Sequence, residues 1–266
     1  MTEREYRQAE GVSRSQLWRL TESPEKAKWA WEHPEEPTPA LLFGQFVHKL
    51  VLKPETVDEE FIVAPTVDKR TKDGKAMWAE FIGLVKEGQQ IIDEPTCAIG
   101  MEMRRVLKET PFVHRLLDGE HELPIFWQDE LTGEHCKARL DCLTEVDGKH
   151  VIVDYKTTTN ASTDAFMSTA VKYGYDFQAA MYSEGYKAVT GNDCIFVFIA
   201  QEKTAPYAVN ILQADEVFLR RGRDTFRQLI GVYHDCKQSD NWYGYLGPYN
   251  VVNNLALPAW LSKEVE

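Results

Sequence analysis

The sequence predicts an α/β or α+β domain in which helices flank a central sheet. Apolar residues recur at helical spacing from Ala40 to Leu52, well before any strand pattern begins. From Glu122 onward the pattern changes to short alternating segments separated by turn residues, which is typical of strands. Helical spacing returns at Asp176–Val189 and Asp215–Tyr233, on either side of the apolar segment Cys194–Ala200. Such helices are expected to pack as layers against the faces of the sheet.

Composition favours one compact cytoplasmic domain. The 266 residues are 43% hydrophobic, which is enough for one large core. No run of about 18 apolar residues occurs and the N-terminus is polar, which argues against membrane insertion and secretion. The five cysteines include no C-x-x-C pair, so neither a disulfide framework nor a structural zinc site is predicted. We expect a single domain, helical over about residues 1–120 and centred on a sheet over about 121–266.

One predicted helix carries a candidate ligand. The helix from Ala40 to Leu52 contains His48, and Gly44 lies one turn earlier on the same face, which leaves little bulk beside the imidazole. Residues 67–75 are polar and rich in Lys and Arg, and they are expected to form an exposed loop. Further helices are predicted over residues 75–90 and 96–117.

Three strands are expected to bring charged side chains together. They are predicted at Glu122–Gln128, His135–Leu143 and His150–Thr157 and are joined by turns, which suggests an antiparallel meander. Because side chains alternate along a strand, Asp141 is expected to share a face with Lys137 and Arg139. On the next strand Asp154 and Lys156 point the same way. Residues Tyr207–Leu212 are expected to pair beside the apolar strand Cys194–Ala200.

The triplet Asp-x-Lys occurs four times, so it means little without its context. Only Asp154 and Lys156 end an apolar strand, where the alternative to a functional site is a structural ion pair. Asp141 on the neighbouring strand favours a site, because two carboxylates repel each other unless a cation lies between them. Hard oxygen ligands suit Mg²⁺ or Mn²⁺. Lys156 can orient an attacking water or offset charge that develops at phosphorus.

The order of five motifs resembles the PD-(D/E)XK nucleases of the RecB and lambda-exonuclease type, and within them the RecE-type nuclease domain. The motifs are Gly44-x-x-x-His48, the acidic Glu122, Arg139-x-Asp141, Asp154-x-Lys156-Thr-Thr and Gln178-x-x-x-Tyr182. The resemblance covers nearly the whole chain and implies a restriction-endonuclease-like core with a mixed central sheet. It also implies a metal site formed by His48, Asp141, Asp154 and the backbone carbonyl of Tyr155, with Lys156 catalytic and Gln178 and Tyr182 in the same cleft. Glu122 can equally be a solvated residue at a strand start.

The resemblance further implies an activity. It predicts a Mg²⁺-dependent exodeoxyribonuclease, with Mn²⁺ able to substitute, that degrades one strand of double-stranded DNA from its end, 5′ to 3′. The remaining 3′ single strand would serve a RecT-like annealing recombinase, and the enzyme would be a homo-oligomeric ring of three or four subunits. An endonuclease or repair nuclease on the same fold is one alternative, and a catalytically silent DNA-binding protein is another.

The net charge of −12 argues against a surface that binds nucleic acid indiscriminately, but it leaves room for a local basic groove. Isolated basic residues on an acidic protein are candidates for phosphate contacts, although each can also be ordinary solvated surface. The candidates for DNA binding are Arg14, Arg70, Lys72, Lys75 and Arg139.

Overall fold

The computed structural model describes residues 1, 3–249 and 251–256. The strands are β1 (Val12–Ser13), β2 (Phe61–Ala64), β3 (Gln90–Asp93), β4 (Glu120–Gln128), β5 (His135–Val146), β6 (Lys149–Thr158), β7 (Ile195–Glu202) and β8 (Val209–Gln213). The helices are α1 (Glu3–Gln8), α2 (Arg14–Arg19), α3 (Pro24–Glu32), α4 (Pro39–Leu52), α5 (Val57–Glu60), α6 (Lys72–Leu84), α7 (Glu94–Glu109), α8 (Val113–Leu116), α9 (Thr163–Tyr173), α10 (Tyr175–Thr190) and α11 (Glu216–Ser239).

The main sheet is mixed and contains six of these strands. Strands β4, β5 and β6 form the predicted antiparallel meander, β6 and β7 run parallel, and β8 is antiparallel to β7. The parallel pair requires a crossover, which α9 and α10 supply. Helices flank this mixed sheet, as the sequence predicts.

Two strands, β1 and β6, pair with different parts of the same edge of β5, and neither pairs with the residues in between. Strand β4 covers the other edge over residues 135–143. On the shared edge, β1 pairs with Cys136 and Lys137, while β6 pairs from Cys142 onward. Strands β5 and β6 therefore separate before Asp141, and a gap lies between β1 and β6 at this position.

Two apolar cores occupy the two faces of the sheet. On one face, α2 and α9–α11 pack against side chains such as Leu140 and Ile152. On the other, α4, α7 and α8 pack against Cys142 and Val153. Leu140 and Cys142 are two positions apart, so regular alternation would place both side chains on the same face of the sheet. They enter different cores, so the predicted alternation of β5 is wrong at Asp141. The interruption coincides with Glu122 on β4, whose φ of 52° breaks the extended backbone at the facing position.

The predicted helical half differs from the structure in three places. Helix α6 begins at Lys72, inside the expected loop, because the Thr71 hydroxyl caps it by accepting a hydrogen bond from Gly74 N at 3.0 Å. It ends at Leu84, and the next residues include β3, which pairs parallel with β2. The expected helix over 96–117 is two helices, since Pro111 disfavours helical backbone at the preceding residue.

The N-terminal part is therefore not purely helical, because it holds a separate two-stranded sheet. Helix α9 was also absent from the sequence prediction. Among the described residues, no helix combines the length and apolar character needed to cross a membrane.

Candidate active site

Asp141 lies at the open edge of β5, where α4 and β6 approach it. Its Oδ2 atom is 2.8 Å from Nε2 of His48 on α4. The same oxygen accepts a hydrogen bond of 2.9 Å from the backbone N–H of Tyr155 on β6. A carboxylate thus replaces the strand partner that β6 loses when it separates from β5.

The Tyr155 carbonyl points into the same gap. In a strand the N–H and C=O of one residue face the same edge, and the Tyr155 N–H faces Asp141. The buried Tyr155 side chain fixes this part of the backbone, since its hydroxyl donates to Gln201 at 2.7 Å. Gln201 in turn donates to the Met103 carbonyl of α7 at 2.8 Å. The backbone at Tyr155 is therefore fixed with its carbonyl oxygen directed toward the gap.

Asp154 is more deeply buried than its position near a strand end suggested, with 1% of its surface exposed. Gln178 of α10 donates a hydrogen bond to its Oδ1. Its Oδ2 lies 2.6 Å from the Lys156 ammonium, but none of the described residues gives that oxygen a well-aligned hydrogen bond. A buried carboxylate oxygen without such a donor is well suited to a cation.

The charges of His48, Asp141, Asp154 and Lys156 shift one another's pKa values. Burial raises the pKa of Asp154 to about 6, because Asp141 adds to the effect of burial and Lys156 only partly offsets it. Burial also opposes ionisation of Asp141, but His48 outweighs it and lowers the Asp141 pKa. Burial disfavours charge on Lys156 as well, yet Asp154 and Asp141 raise its pKa above the ordinary value. The Lys156 ammonium is thus held charged beside a carboxylate that still lacks full compensation.

Helix α10 supplies one wall of the site. Gln178 is buried against Asp154, and Tyr182 lies one turn further along. Burial raises the pKa of the Tyr182 hydroxyl, and Asp154 and Asp141 act in the same direction. At the start of the helix, Lys156 Nζ lies 5.0 Å from the centre of the Tyr175 ring. Tyr175 belongs to none of the five sequence motifs, although its spacing of three from Gln178 places both on one helix face.

Glu122 is neither solvated nor part of this group of charges. It is the third residue of β4 and, with an 11% exposed side chain, pairs with Lys49 at 3.4 Å and Lys53 at 3.8 Å. Lys49 also contacts Glu60 at 2.6 Å. The i, i+4 spacing of the two lysines on α4 was the available signal for this cluster.

The five candidate DNA contacts occupy different surroundings. Arg14 is partly buried, donates to the carbonyls of Tyr173 and Gly174, and lies 5.3 Å and 5.8 Å from the ring centres of Trp18 and Phe177. It therefore joins α2 to the α9–α10 junction beside Tyr175.

Arg139 lies 5.5 Å from the centre of the Tyr6 ring of α1, and burial lowers its pKa. Its neighbour Lys137 donates to the Tyr6, Arg7 and Ala9 carbonyls, so α1 covers the polar face of β5. Arg70 is exposed and pairs with Asp68 at 3.0 Å before α6, and Lys72 and Lys75 are exposed in its first turn.

The donor set fits a hard divalent cation. Within the described part of the chain, no three His, Cys, Asp or Glu side chains form a preassembled metal cluster. Instead His48 pairs with Asp141, and Asp154 pairs with Lys156 and Gln178. Two carboxylates, one imidazole and a backbone carbonyl are nevertheless an oxygen-rich set of the kind that Mg²⁺ or Mn²⁺ prefers. The strongest indication of a shared cation is that two carboxylates, Asp154 and Asp141, act on the single Lys156 ammonium.

A mixed sheet with these side chains at the separation of two strands defines a PDDEXK-like protein of the nuclease superfamily. The chain belongs to the family described as "PDDEXK-like domain of unknown function (DUF3799)", whose model matches residues 13–254. No curated protein sequence matches it.

A solved crystal structure has a similar fold. The crystal structure of a candidate exonuclease from Eubacterium rectale is similar, with a TM-score of 0.65 and 15% identity over 97% of this chain and 96% of that one. The structure of SSO0001 has a TM-score of 0.36 and 15% identity over 83% of this chain and 77% of that one, too low to support an argument.

Proposed function

We propose that the protein is a Mg²⁺-dependent exodeoxyribonuclease that degrades one strand of double-stranded DNA, 5′ to 3′. The single observation that carries the proposal is the buried group of Asp141, Asp154 and Lys156 at the open edge of β5. A structural ion pair would need one acid and one base, whereas here a second carboxylate, Asp141, acts on the same lysine and itself contacts the His48 imidazole.

The residues have separable tasks. His48, Asp141, Asp154 and the Tyr155 carbonyl would hold the metal ion, which supplies positive charge at a phosphate oxygen and lowers the pKa of bound water. Gln178 fixes the Asp154 carboxylate through a hydrogen bond. The Lys156 ammonium is held between this carboxylate and the Tyr175 ring, from where it can orient the attacking water and offset negative charge at phosphorus.

A comparison of DNA substrates tests the proposal. Linear duplex labelled at either the 5′ or the 3′ end is incubated with and without Mg²⁺, beside covalently closed plasmid. The proposal requires Mg²⁺-dependent release of nucleotides, first from the 5′ label, and an intact plasmid. Efficient nicking of the closed plasmid favours an endonuclease, and loss of the 3′ label first reverses the polarity. Binding without any cleavage leaves the catalytically silent alternative.

We also propose that the subunits form a closed ring, a trimer or tetramer, and that the 3′ strand passes to a single-strand annealing recombinase. A net charge of −12 opposes repeated rebinding of a polyanion, and a ring that encloses the duplex removes the need to rebind. Closed symmetry is the usual outcome for identical subunits. Light scattering together with digestion in the presence of trap DNA tests this. A monomer that digests long duplex processively contradicts it.

A further inference from the structure

A basic pocket of about 600 Å³ lies beyond the C-terminal end of α4, beside the start of β4. Its polar lining consists of three cations, Lys53, Arg104 and Lys108, two acids, Glu55 and Glu120, and the imidazole of His121. On a chain with net charge −12, a concave site with more cationic than acidic side chains is unusual.

Within the part of the chain that the structure describes, two cations of the pocket lack an acidic partner and repel each other. Arg104 and Lys108 lie at i and i+4 on α7, a spacing at which like charges destabilise a helix. Neither has an ion-pair or hydrogen-bond partner among the described residues, and Arg104 Nε is buried without an acceptor. Their neighbour Arg105, by contrast, is paired with Glu102 at 3.0 Å and Glu109 at 2.7 Å. The acidic residues of α7 thus neutralise Arg105, which lies outside the pocket. Arg104 and Lys108, which line the pocket, remain available to an anion.

The pocket adjoins the candidate active site through two elements. His48 lies on helix α4, and Lys53 is the residue that immediately follows this helix. On β4, His121 pairs with Cys142, the residue that follows Asp141. Glu122, the residue after His121, contacts Lys53 beside the pocket.

We propose that the basic pocket binds a backbone phosphate of the DNA whose phosphodiester lies at the adjoining Asp141–Asp154 site. The proposal rests on the proposed nuclease function for its ligand. A tetrahedral anion provides acceptors for the Arg104 guanidinium and for the Lys108 ammonium at once, which relieves the repulsion between the two cations.

The test combines two measurements on the full chain. The first is the rise in melting temperature caused by inorganic phosphate in metal-free buffer. The second is the affinity for a short labelled duplex with Mg²⁺, measured on an Asp154→Asn background at several salt concentrations. The double variant Arg104→Gln/Lys108→Gln is compared with the control Arg105→Gln, which changes the adjacent residue on the same helix.

The double variant is expected to lose the phosphate effect and to bind duplex about tenfold more weakly, with a salt dependence reduced by one to two phosphate contacts. The control is expected to keep both. Equal duplex affinity and salt dependence in the two variants overturns the proposal, as does a wild-type protein that phosphate does not stabilise. If duplex binding depends on the pocket but the wild-type protein cleaves no DNA with Mg²⁺, the nuclease function fails while the pocket stands.

Discussion

Glu122 lies opposite Asp141 in the register of β4 and β5, yet its carboxylate contacts Lys49 and Lys53 rather than the Asp141 site. Its φ of 52° takes the backbone out of the extended conformation at this position. One carboxylate therefore holds α4 against the sheet, while the other faces the gap where β5 and β6 separate. The two acids are neighbours with different tasks.

Replacing Glu122 is expected to affect stability rather than metal use. Glu122→Gln leaves Lys49 and Lys53 with less compensation in a mostly buried cluster, so the free energy of unfolding should fall by about 1–3 kcal/mol. Denaturant unfolding measures this, and the metal concentration for half-maximal cleavage should stay unchanged. A rise in that concentration as large as the one caused by Asp141→Asn would place Glu122 among the ligands.

Asp154→Asn and Lys156→Gln are each expected to reduce cleavage at least about a hundredfold, because they remove charge stabilisation at phosphorus. Asn at position 154 keeps an acceptor for Gln178, so the fold should survive. The matched control is Lys149→Gln, which changes an exposed lysine in another Asp-x-Lys triplet. Release of acid-soluble nucleotides measures all three. A folded Asp154→Asn protein with near-normal activity shows that the site is wrongly assigned.

The metal requirement is expected to depend on pH through His48. Burial opposes its protonation, but Asp141 outweighs burial and raises the His48 pKa above its ordinary value of about 6.5. A metal ion needs the neutral imidazole, so the Mn²⁺ concentration for half-maximal activity should rise as pH falls through that raised value. The rise should be smaller in His48→Ala, which also needs more Mn²⁺ throughout. Identical Mn²⁺ titrations of both proteins at every pH would exclude His48 as a ligand.

Arg14→Gln is expected to destabilise the fold by about 1–3 kcal/mol, because the guanidinium bridges α2 and the α9–α10 junction through two carbonyls. The exposed Arg19→Gln is the control. Denaturant unfolding and the salt dependence of duplex binding distinguish an anchor from a phosphate contact. Unchanged stability with a weaker salt dependence would assign Arg14 to DNA instead.

The β4–β5 hairpin is expected to make the fold sensitive to acid. Burial opposes ionisation of Glu134, but hydrogen bonds from Lys237 and His234 of α11 outweigh it and lower the Glu134 pKa. The folded pKa lies below the unfolded value of about 4.3, so the stabilisation is complete above that value and is lost as pH falls toward the folded pKa. At neutral pH, Glu134→Gln should cost about 1–3 kcal/mol, and the difference from wild type should shrink in acid.

Melting curves across this pH range provide the measurement. The control is Glu109→Gln, which breaks an exposed pair with Arg105 and should change the melting temperature little at any pH. A difference between Glu134→Gln and wild type that stays constant with pH would contradict the linkage.

Local patterns predicted the centre of the sheet and the pairing of Asp154 with Lys156, because alternation and turn residues act over a few positions. They failed at residues 90–93, whose strand forms only because Phe61–Ala64 lies beside them. They also failed for Arg14, since its surroundings come from residues about 160 positions away. The burial of Glu122 depends likewise on two lysines of a distant helix, which no spacing within β4 encodes.

The separation of β5 and β6 has a spectroscopic consequence. From Asp154 onward β7 pairs with β6 along one edge, and the Tyr155 amide on the other edge is bonded to the Asp141 carboxylate in place of a strand. Exchange of that one amide proton with solvent deuterium therefore records the state of a side chain rather than the opening of the sheet. The β6 amides that bond to β7 provide the reference rate for opening of the sheet. Compared with them, the exchange rate of the Tyr155 amide reports whether the Asp141 carboxylate still accepts its hydrogen bond, and the measurement needs neither DNA nor catalytic turnover.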